Sequence, residues 1–421
     1  MSGKDTSPTS FFEEQGVEKE ELHIGHADVP FGLMRVSNPA VGIGGAYGTW
    51  GESCDNTRLP AVIQRQLGQP LPEGDLMELA QLGFVNRHRT PQLSQEEHVE
   101  LEVEVGARLL QRAAAANGWS PAEVDAVLIG VSLPIVPDYI EQIARRAGIR
   151  DSALKVSVHK ACDGSVGSLH LALNPSLAAP GQLNIAETLL GKKVLLGGIE
   201  GLTRGLRDSR DKNALQLFGN GAGVIGIVPG RTIKFLTGKS HEVFDEEGVL
   251  AVHMYYPHSR RREPGRSLVE VSQEGRSIRV AGLMHEPEDG AAIAMAGPMG
   301  MVKLFVRSGV QVVSDVYQAY LSLMQNLGQT PRIAVAIVHH ANYKINKLKE
   351  KQLAGLGIKF PMPWLLSEFG NVSAASNMIA FLRQLPKLRP GDHVLIDGFG
   401  AGTYYDVLAV EMGTSDHAGS G

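Results

Sequence analysis

Short apolar runs separated by glycines and by amphipathic stretches recur along this chain. The runs at 124–131 (VDAVLIGV), 194–199 (VLLGGI) and 333–338 (IAVAIV) are almost wholly apolar, which predicts strands buried on both faces. Between them, apolar residues at helical spacing over 95–117 predict a helix that ends before Gly118. Strands that alternate with helices in this way predict an α/β protein.

The order of these elements repeats in the second half of the chain. Cys162 opens a helix of small residues, which is followed by a buried strand and the segment FGNGAGVIGIV. Asn371 opens a similar helix, which is followed by the strand HVLID and the segment GFGAGTYYDVLAV. We interpret this as an internal duplication of an α/β unit with a mostly parallel sheet. The alternative is coincidence, because Gly-x-Gly turns are common.

The two ends of the chain differ in composition from its body. Residues 1–33 are rich in Ser, Thr, Pro and charged side chains, which predicts an arm, with order beginning near Arg35. Residues 414–421 are small and polar, which predicts a flexible tail. The N-terminus has no apolar core of a signal peptide, and no stretch approaches 18 apolar residues. We therefore expect neither a signal peptide nor a membrane-spanning helix.

Composition narrows the classes of function. Hydrophobic residues make up 43% and charged residues 20% of the 421 residues, as in a globular protein, and the net charge of -5 gives no excess of basic residues for nucleic acid or anionic membranes. Two cysteines, Cys54 and Cys162, cannot form a disulfide scaffold and lack zinc-site spacing, so we expect a cytoplasmic protein without a metal. Glycine is abundant, with 49 residues, although proline is ordinary.

Cys162 is the first candidate for chemistry. A strand-like segment runs into Ala161-Cys162, and a small-residue helix follows, which places the thiol at a helix N-terminus where a thiolate is favoured. The other interpretation is a buried, inert cysteine. Asp163 argues mildly against activation, because a carboxylate that faces the thiol would raise its pKa.

His339 and Asn371 are candidates at two further strand-to-helix junctions. His339 follows an apolar strand, where α/β folds place their sites, although a structural histidine is an equally good interpretation. Asn371 alone would be read as a helix cap. Cysteine, histidine and asparagine at three junctions of one duplicated fold are more informative together than singly.

From about Met34 to Met412 the chain resembles the 3-oxoacyl-(acyl carrier protein) synthase III group of the thiolase superfamily. The resemblance rests on segments in matching order: VGIG at 41–44, Ala161-Cys162 with Gly164, FGNGAG at 218–223, HHAN at 339–342, GNVSAAS at 370–376, and GD followed by VLIDGFGAG at 391–402. It implies a five-layered αβαβα fold of two duplicated halves, 34–230 and 231–413.

The resemblance also implies a reaction. Cys162 would take an acyl group as a thioester, and His339 and Asn371 would polarise the carbonyl of a malonyl thioester and stabilise the carbanion left by decarboxylation. The amides of Cys162 and Ala401 would form the oxyanion hole. No metal is implied, coenzyme A or phosphopantetheine acts only as substrate carrier, and an acyl carrier protein and a second copy of the chain are the expected partners.

Departures from the family pattern concern the substrate. His340 replaces a glutamine, and Lys344 replaces an arginine beyond the motif's Asn342; of the basic residues that help to hold the carrier, Arg87 remains. Ser165 replaces an aromatic residue and predicts a wider acyl pocket. We therefore assign Lys344, Asn342, Arg87 and Ser165 to substrate or carrier binding, in an enzyme of fatty acid, polyketide or other secondary lipid biosynthesis.

Two alternatives remain open on the sequence. The same residues are compatible with condensation of two acyl chains without malonyl, or with acyl transfer to another nucleophile. A non-catalytic subunit of a ketosynthase complex would keep the fold, but such subunits often lose the cysteine.

Overall fold

The computed structural model describes residues 17–72, 74, 76, 79–132, 135–178, 183–242, 269–282, 303–400 and 404–413. The strands are β1 (Val17–Ile24), β2 (Val29–Asn38), β3 (Ile43–Trp50), β4 (Glu52–Asp55), β5 (Asn86–Arg89), β6 (Ala126–Gly130), β7 (Leu154–His159), β8 (Val194–Gly201), β9 (Asn220–Ile227), β10 (Ile233–Glu242), β11 (Val269–Glu274), β12 (Ser277–Gly282), β13 (Ile333–Val338), β14 (His393–Gly400) and β15 (Tyr404–Met412). The α-helices are α1 (Leu59–Leu67), α2 (Gln95–Ala116), α3 (Tyr139–Ala147), α4 (Gly164–Leu173), α5 (Ile185–Leu189), α6 (Leu202–Gly205), α7 (Lys212–Leu217), α8 (Gly309–Asn326), α9 (Tyr343–Gly355) and α10 (Ser376–Gln384). A π-helical turn, Lys303–Ser308, leads into α8, and short 3₁₀ turns span Leu79–Leu82, Pro121–Glu123, Ala161–Asp163, Pro175–Leu177, Ser373–Ala375 and Leu385–Lys387.

Two large sheets repeat one topology. In the nine-stranded sheet, β3-β9-β8-β6 pair antiparallel, antiparallel and parallel. In the four-stranded sheet, β10-β15-β14-β13 pair in the same three ways. The predicted duplication is therefore confirmed.

The expectation of mostly parallel sheets is wrong. Parallel pairing is confined to β8-β6-β7-β12 and to β13-β14, and the other neighbouring strands of the two sheets are antiparallel. In each half the last strand, β9 or β15, returns beside the strand that precedes it in the chain. Such a strand runs antiparallel, because it comes back along the same edge without a crossover helix.

Helices lie on both sides of each sheet and give five layers. α2 and α3 cover the outer face of the nine-stranded sheet, and α8 covers the outer face of the four-stranded sheet. α4 and α10 lie between the sheets and contact both. Almost every residue of these two helices is buried, which explains why their sequences lack a polar face. The predicted αβαβα fold is confirmed.

The N-terminal region is more ordered than expected. β1 pairs with β2 from Val17 onward, and β2 continues the nine-stranded sheet beside β3. Our expectation that order begins near Arg35 is therefore wrong, while residues 1–16 and the tail at 414–421 lie outside the described residues. The boundary of the arm at 33 and the boundary between the halves at 230 stay predictions.

Candidate active site

Cys162 lies in a tight turn between β7 and α4. The turn begins with Ala161, whose φ of 48° is in the left-handed region, and Cys162 sits within the 3₁₀ turn Ala161–Asp163 that runs directly into the helix. The cysteine is only half-buried, unlike Cys54. The structure therefore places Cys162 at the predicted helix N-terminus.

The second half contains the counterpart of this turn. Ser373 has a φ of 44° and begins the 3₁₀ turn Ser373–Ala375, which runs directly into α10. The two turns contact each other between the sheets. A Cβ added to Gly198 of β8 would lie 2.4 Å from the carbonyl oxygen of Ala374, so only glycine allows the sheet to approach the second turn this closely.

Residues 371–376 bring the three candidate side chains together. Ser373 Oγ lies within hydrogen-bonding distance of Cys162 Sγ, at 3.2 Å, and the Ser373 amide donates to Asn371 Oδ1 at 2.8 Å. One turn later, Ser376 Oγ lies 2.5 Å from His339 Nδ1. Because its Oδ1 is held by a backbone amide, the side-chain amide of Asn371 is fixed in orientation. Cys162, His339 and Asn371 thus all contact, or belong to, one short segment.

His339 is buried and uncharged. Burial lowers the pKa of its imidazole to about 3, and the nearby His340 and Lys349 lower it further in the same direction. Its ring meets the ring of Phe399 edge-on, with centroids 4.9 Å apart. Its backbone amide donates to the carbonyl of Asp397 at 3.0 Å, which ties β13 to β14 at this point. A neutral imidazole in a fixed position can donate or accept a hydrogen bond, but it is a weak base.

His340 supports the site rather than facing it. Its Nε2 accepts a hydrogen bond from the Leu365 amide at 2.9 Å, so its Nδ1 is the protonated nitrogen and donates to Val338 O at 2.8 Å. Its ring packs on Trp364, and burial lowers its pKa to about 4. With both ring nitrogens occupied, His340 joins β13 to the segment before Asn371.

The glycine-rich end of β14 closes over the cysteine turn. A Cβ added to Gly400 would lie 2.2 Å from the carbonyl oxygen of Lys160, two residues before Cys162. Only glycine, which has no Cβ, allows the two backbone segments to approach this closely. Ala401, which we expected to supply an oxyanion-hole amide, follows immediately but lies outside the described residues.

Arg87, a predicted substrate- or carrier-binding residue, is buried in the structure. It is fully buried in β5 behind Gly370, and its Nη2 donates to Asn56 Oδ1 at 2.9 Å. Burial lowers the pKa of its guanidinium to about 10. The assignment of Arg87 to substrate or carrier binding stays a prediction.

The other predicted binding residues differ in exposure. Asn342 uses its side chain to cap α9, with Oδ1 accepting from the Lys344 amide at 2.9 Å, whereas the Lys344 side chain is exposed. Ser165, on the first turn of α4, is fully buried and its hydroxyl has no hydrogen-bond partner among the described residues. Their assignment to substrate or carrier binding stays a prediction.

Sequence reasoning missed a buried ionic cluster beneath Cys162. Lys160 donates to Asp406 Oδ2, and His170 Nδ1 lies 2.6 Å from Asp406 Oδ1. Asp163 Oδ2 is 3.6 Å from Lys160 Nζ. Burial raises the pKa of Asp163 well above its ordinary value, and the negative Asp406 raises it further, against Lys160. The site therefore favours the neutral form of Asp163.

A buried carboxyl group, also missed, lies on the other side of Cys162. Glu200 Oε1 accepts hydrogen bonds from the Ser132 hydroxyl at 2.5 Å and from the Ala374 amide at 3.1 Å. Ser132 Oγ in turn lies 2.5 Å from Ser373 Oγ. The sequence signal for Glu200 is a charged residue near the end of an otherwise apolar strand.

These groups suit acyl chemistry. They combine a soft nucleophile at a helix N-terminus with a neutral imidazole and an oriented carboxamide. Among the described residues no three or more His, Cys, Asp or Glu side chains are grouped as ligands of a metal ion. Within the same residues, no helix is long and apolar enough to cross a bilayer.

Comparison with known proteins shows similarity to condensing enzymes. A family model described as the C-terminal part of 3-oxoacyl-[acyl-carrier-protein (ACP)] synthase III matches residues 323–412. The chain is 27% identical over 309 residues to the β-ketoacyl-[acyl-carrier-protein] synthase III 1 of Halalkalibacterium halodurans, which covers 72% of this chain and 80% of that protein.

Solved structures share the fold. The 3-oxoacyl-[acyl-carrier-protein] synthase III of Aquifex aeolicus VF5 matches with a TM-score of 0.59 at 17% identity, over 94% of this chain and 100% of that chain. The C-terminal type III polyketide synthase domain of Steely1 from Dictyostelium matches with a TM-score of 0.60 at 14% identity, over 89% of this chain and 98% of that one.

Proposed function

We propose that this chain, which is similar to 3-oxoacyl-[acyl-carrier-protein] synthase III, joins an acyl thioester to a malonyl thioester through Cys162, His339 and Asn371. The observation that carries the proposal is the segment 371–376, which contacts the cysteine and the histidine and contains the asparagine. We propose fatty acid, polyketide or other secondary lipid biosynthesis as the pathway.

The first half-reaction belongs to Cys162. Its thiolate attacks the carbonyl carbon of the acyl thioester, the C–S bond to the carrier breaks, and the carrier leaves as a thiolate that takes a proton from water. The helix N-terminus favours the thiolate, and the Cys162 amide, together with the Ala401 amide, receives the developing oxyanion.

The second half-reaction belongs to His339 and Asn371. Ser376 can donate to Nδ1 of His339, which leaves Nε2 as the protonated nitrogen, and the Asn371 carboxamide, held through Oδ1, offers Nδ2. Two neutral donors aimed at the carbonyl of a malonyl thioester stabilise the enolate that forms as carbon dioxide leaves. The enolate carbon then attacks the acyl group on Cys162, and the thiolate is released.

The proposal also covers the carriers of the two substrates and the assembly of the protein. Coenzyme A or phosphopantetheine brings the acyl and malonyl groups and takes no other part, and no metal is required. The exposed Lys344 is the described candidate to meet the phosphate of a carrier, as a point charge rather than a bidentate fork. A homodimer is the expected assembly.

Intact-mass spectrometry tests the first half-reaction. Wild-type protein mixed with a panel of acyl thioesters should gain the mass of one acyl group on Cys162, and Cys162→Ala should gain none. Cys54→Ala is the matched control, because Cys54 is the second cysteine of the chain and is buried, and it should acylate like wild type. Wild-type protein without an adduct would contradict the proposal.

Addition of a malonyl carrier protein tests the second half-reaction. The adduct should disappear with release of carbon dioxide and a 3-oxoacyl product. His339→Ala and Asn371→Ala should still acylate but should condense slower by about 100-fold or more. A product formed without malonyl would instead support acyl–acyl condensation or transfer to another nucleophile. Activity that requires a partner protein would support the alternative of an accessory subunit.

A further inference from the structure

A continuous line of hydrogen-bonding groups connects Cys162 to a buried carboxyl group. Cys162 Sγ is 3.2 Å from Ser373 Oγ, Ser373 Oγ is 2.5 Å from Ser132 Oγ, and Ser132 Oγ is 2.5 Å from Glu200 Oε1. Each hydroxyl can accept from one neighbour and donate to the next, so all three bonds can point from the thiol towards the carboxylate. The line brings together β8, the segment after β6 and the turn before α10.

Glu200 is held as a proton acceptor at the end of this line. Its Oε1 also accepts from the amides of Ser132, at 2.9 Å, and Ala374, at 3.1 Å, and its side chain is buried. Burial raises its pKa to about 8, although these hydrogen bonds act in the opposite direction. An ordinary thiol has a pKa of about 8.5. Because the two pKa values are similar, transfer of a proton from the thiol to Glu200 changes the free energy little.

The charged and titratable groups around Glu200 are paired among themselves. Arg204 donates to Glu102 Oε1 at 2.8 Å, and the Tyr139 hydroxyl donates to Glu102 Oε2 at 3.2 Å. Glu200 contributes to the electrostatic environment of Arg204 and Tyr139, whereas the hydrogen bonds of these two side chains described above go to Glu102. Its recorded hydrogen bonds come instead from the serine side of the site.

His339 is poorly suited to take the thiol proton. The pKa of its imidazole is lowered to about 3, chiefly by burial, and its Nδ1 is occupied by Ser376. A base this weak holds a proton from a thiol only fleetingly. The site therefore needs another acceptor if Cys162 is to react as a thiolate near neutral pH.

We propose that Glu200 receives the proton of Cys162 through Ser373 and Ser132. The thiol S–H bond breaks as its proton moves to Ser373 Oγ, the Ser373 proton moves to Ser132 Oγ, and the Ser132 proton moves to Glu200 Oε1. The products are a Cys162 thiolate and a neutral Glu200. The proton stays on Glu200 while Cys162 carries the acyl group, and it returns along the same line when condensation releases the thiolate. This inference rests on the proposed role of Cys162 as nucleophile.

The pH profile of Cys162 acylation tests the relay. Without malonyl donor, the wild-type rate should rise with an inflection near pH 8, as Glu200 becomes ionised. Glu200→Gln should lose this inflection and acylate about 100-fold slower at pH 8. Its deficit should shrink above pH 9, because hydroxide then removes the thiol proton directly.

Variants of Ser132 separate proton transfer from packing. Ser132→Ala interrupts the line and should reproduce the profile of Glu200→Gln, whereas Ser132→Thr keeps a hydroxyl and should restore the wild-type inflection. Glu102→Gln is the matched control, since Glu102 is also a buried carboxylate but is bonded to Arg204 and Tyr139. It should keep the wild-type inflection. Circular dichroism confirms that each variant is folded.

Labelling with iodoacetamide gives a readout that needs no substrate. A shared proton should make wild-type Cys162 react in two pH-dependent steps, as in any coupled pair, and Glu200→Gln should react in one. A wild-type chain with two labelling steps but no acyl adduct would refute the proposed function and not the relay. An unchanged acylation profile in Glu200→Gln, or a Ser132→Thr variant as slow as Ser132→Ala, would overturn the relay.

Discussion

Replacement of Lys349 by methionine should destabilise the protein, because the buried Asp397 carboxylate loses its partner. Lys349 on α9 donates from Nζ to Asp397 Oδ2 on β14, and both side chains are almost completely buried. Methionine keeps the length of the side chain but removes the cation, so the Asp397 carboxylate remains in the interior without a partner. Removal of one member of such a pair costs about 3–5 kcal/mol. With the usual unfolding entropy per residue, this lowers the Tm of a chain of this length by about 3–6 °C.

A double variant separates the pair from its packing. Burial raises the pKa of Asp397 even though Lys349 opposes the shift, so desolvation outweighs the attraction within the pair. Lys349→Met combined with Asp397→Asn removes both charges at once. We therefore expect the double variant to lie within about 1 kcal/mol of wild type. Lys347→Met is the surface control on the same helix, because its partner Glu350 is half exposed, and it should cost less than about 1 kcal/mol.

Thermal unfolding followed by circular dichroism at pH 8 and pH 5 measures these effects. In Lys349→Met, the folded-state pKa of Asp397 lies above the unfolded value, so the folded state binds the proton more tightly. Such a group stabilises the fold at low pH and loses that contribution as pH rises through the folded-state pKa. The deficit of the single variant should therefore be smaller at pH 5 than at pH 8. A Tm within 1 °C of wild type, or a double variant as unstable as the single one, would refute this reasoning.

Three further predictions concern the site. Gly400→Ala puts a methyl group 2.2 Å from Lys160 O, so the cysteine turn must shift, and the rate of Cys162 acylation should fall by about 100-fold; acylation at the wild-type rate would contradict the close contact. Ser165→Ala removes a buried hydroxyl without a described partner and should leave Tm unchanged or raised. Ser165→Phe should shorten the accepted acyl chain, as product analysis by mass spectrometry would show. An unchanged chain-length profile would refute the wider pocket. Because the folded-state pKa of His339 is about 3 and its unfolded value about 6.5, its contribution to stability is complete above pH 6.5 and is lost as pH falls towards 3. His339→Gln should therefore make Tm depend less steeply on pH in that range. An unchanged slope would contradict the lowered pKa.

The fold was predictable where the sequence pattern is local. Apolar runs such as 333–338 and the small-residue helices at Cys162 and Asn371 became buried strands and the central helices. β1 was missed because its alternating charged residues resemble those of a solvated arm. A charged edge strand has the same composition, because one face and one edge remain in water. Only the register with β2 distinguishes the two.

The candidate site was predictable only in its motif residues. Cys162, His339 and Asn371 stand at strand-to-helix junctions, which can be located along the chain. The neighbours of these residues could not be found in that way. Ser373 meets Cys162 across 211 positions, because the two halves face each other. The burial of Arg87 likewise depends on the approach of Gly370, which no local pattern encodes.

Asp163 shows why the neighbour of a nucleophile cannot be judged from adjacency alone. We expected its carboxylate to oppose a thiolate if it faced Cys162. The tight turn instead directs this side chain towards β14, where a Cβ on Gly398 would lie 2.3 Å from Asp163 Oδ1, and towards Lys160. Burial and Asp406 raise the pKa of Asp163, which favours its neutral form and so weakens its opposition to a Cys162 thiolate. The turn that places Cys162 at the helix N-terminus therefore also buries the neighbouring carboxyl group, which favours its neutral form.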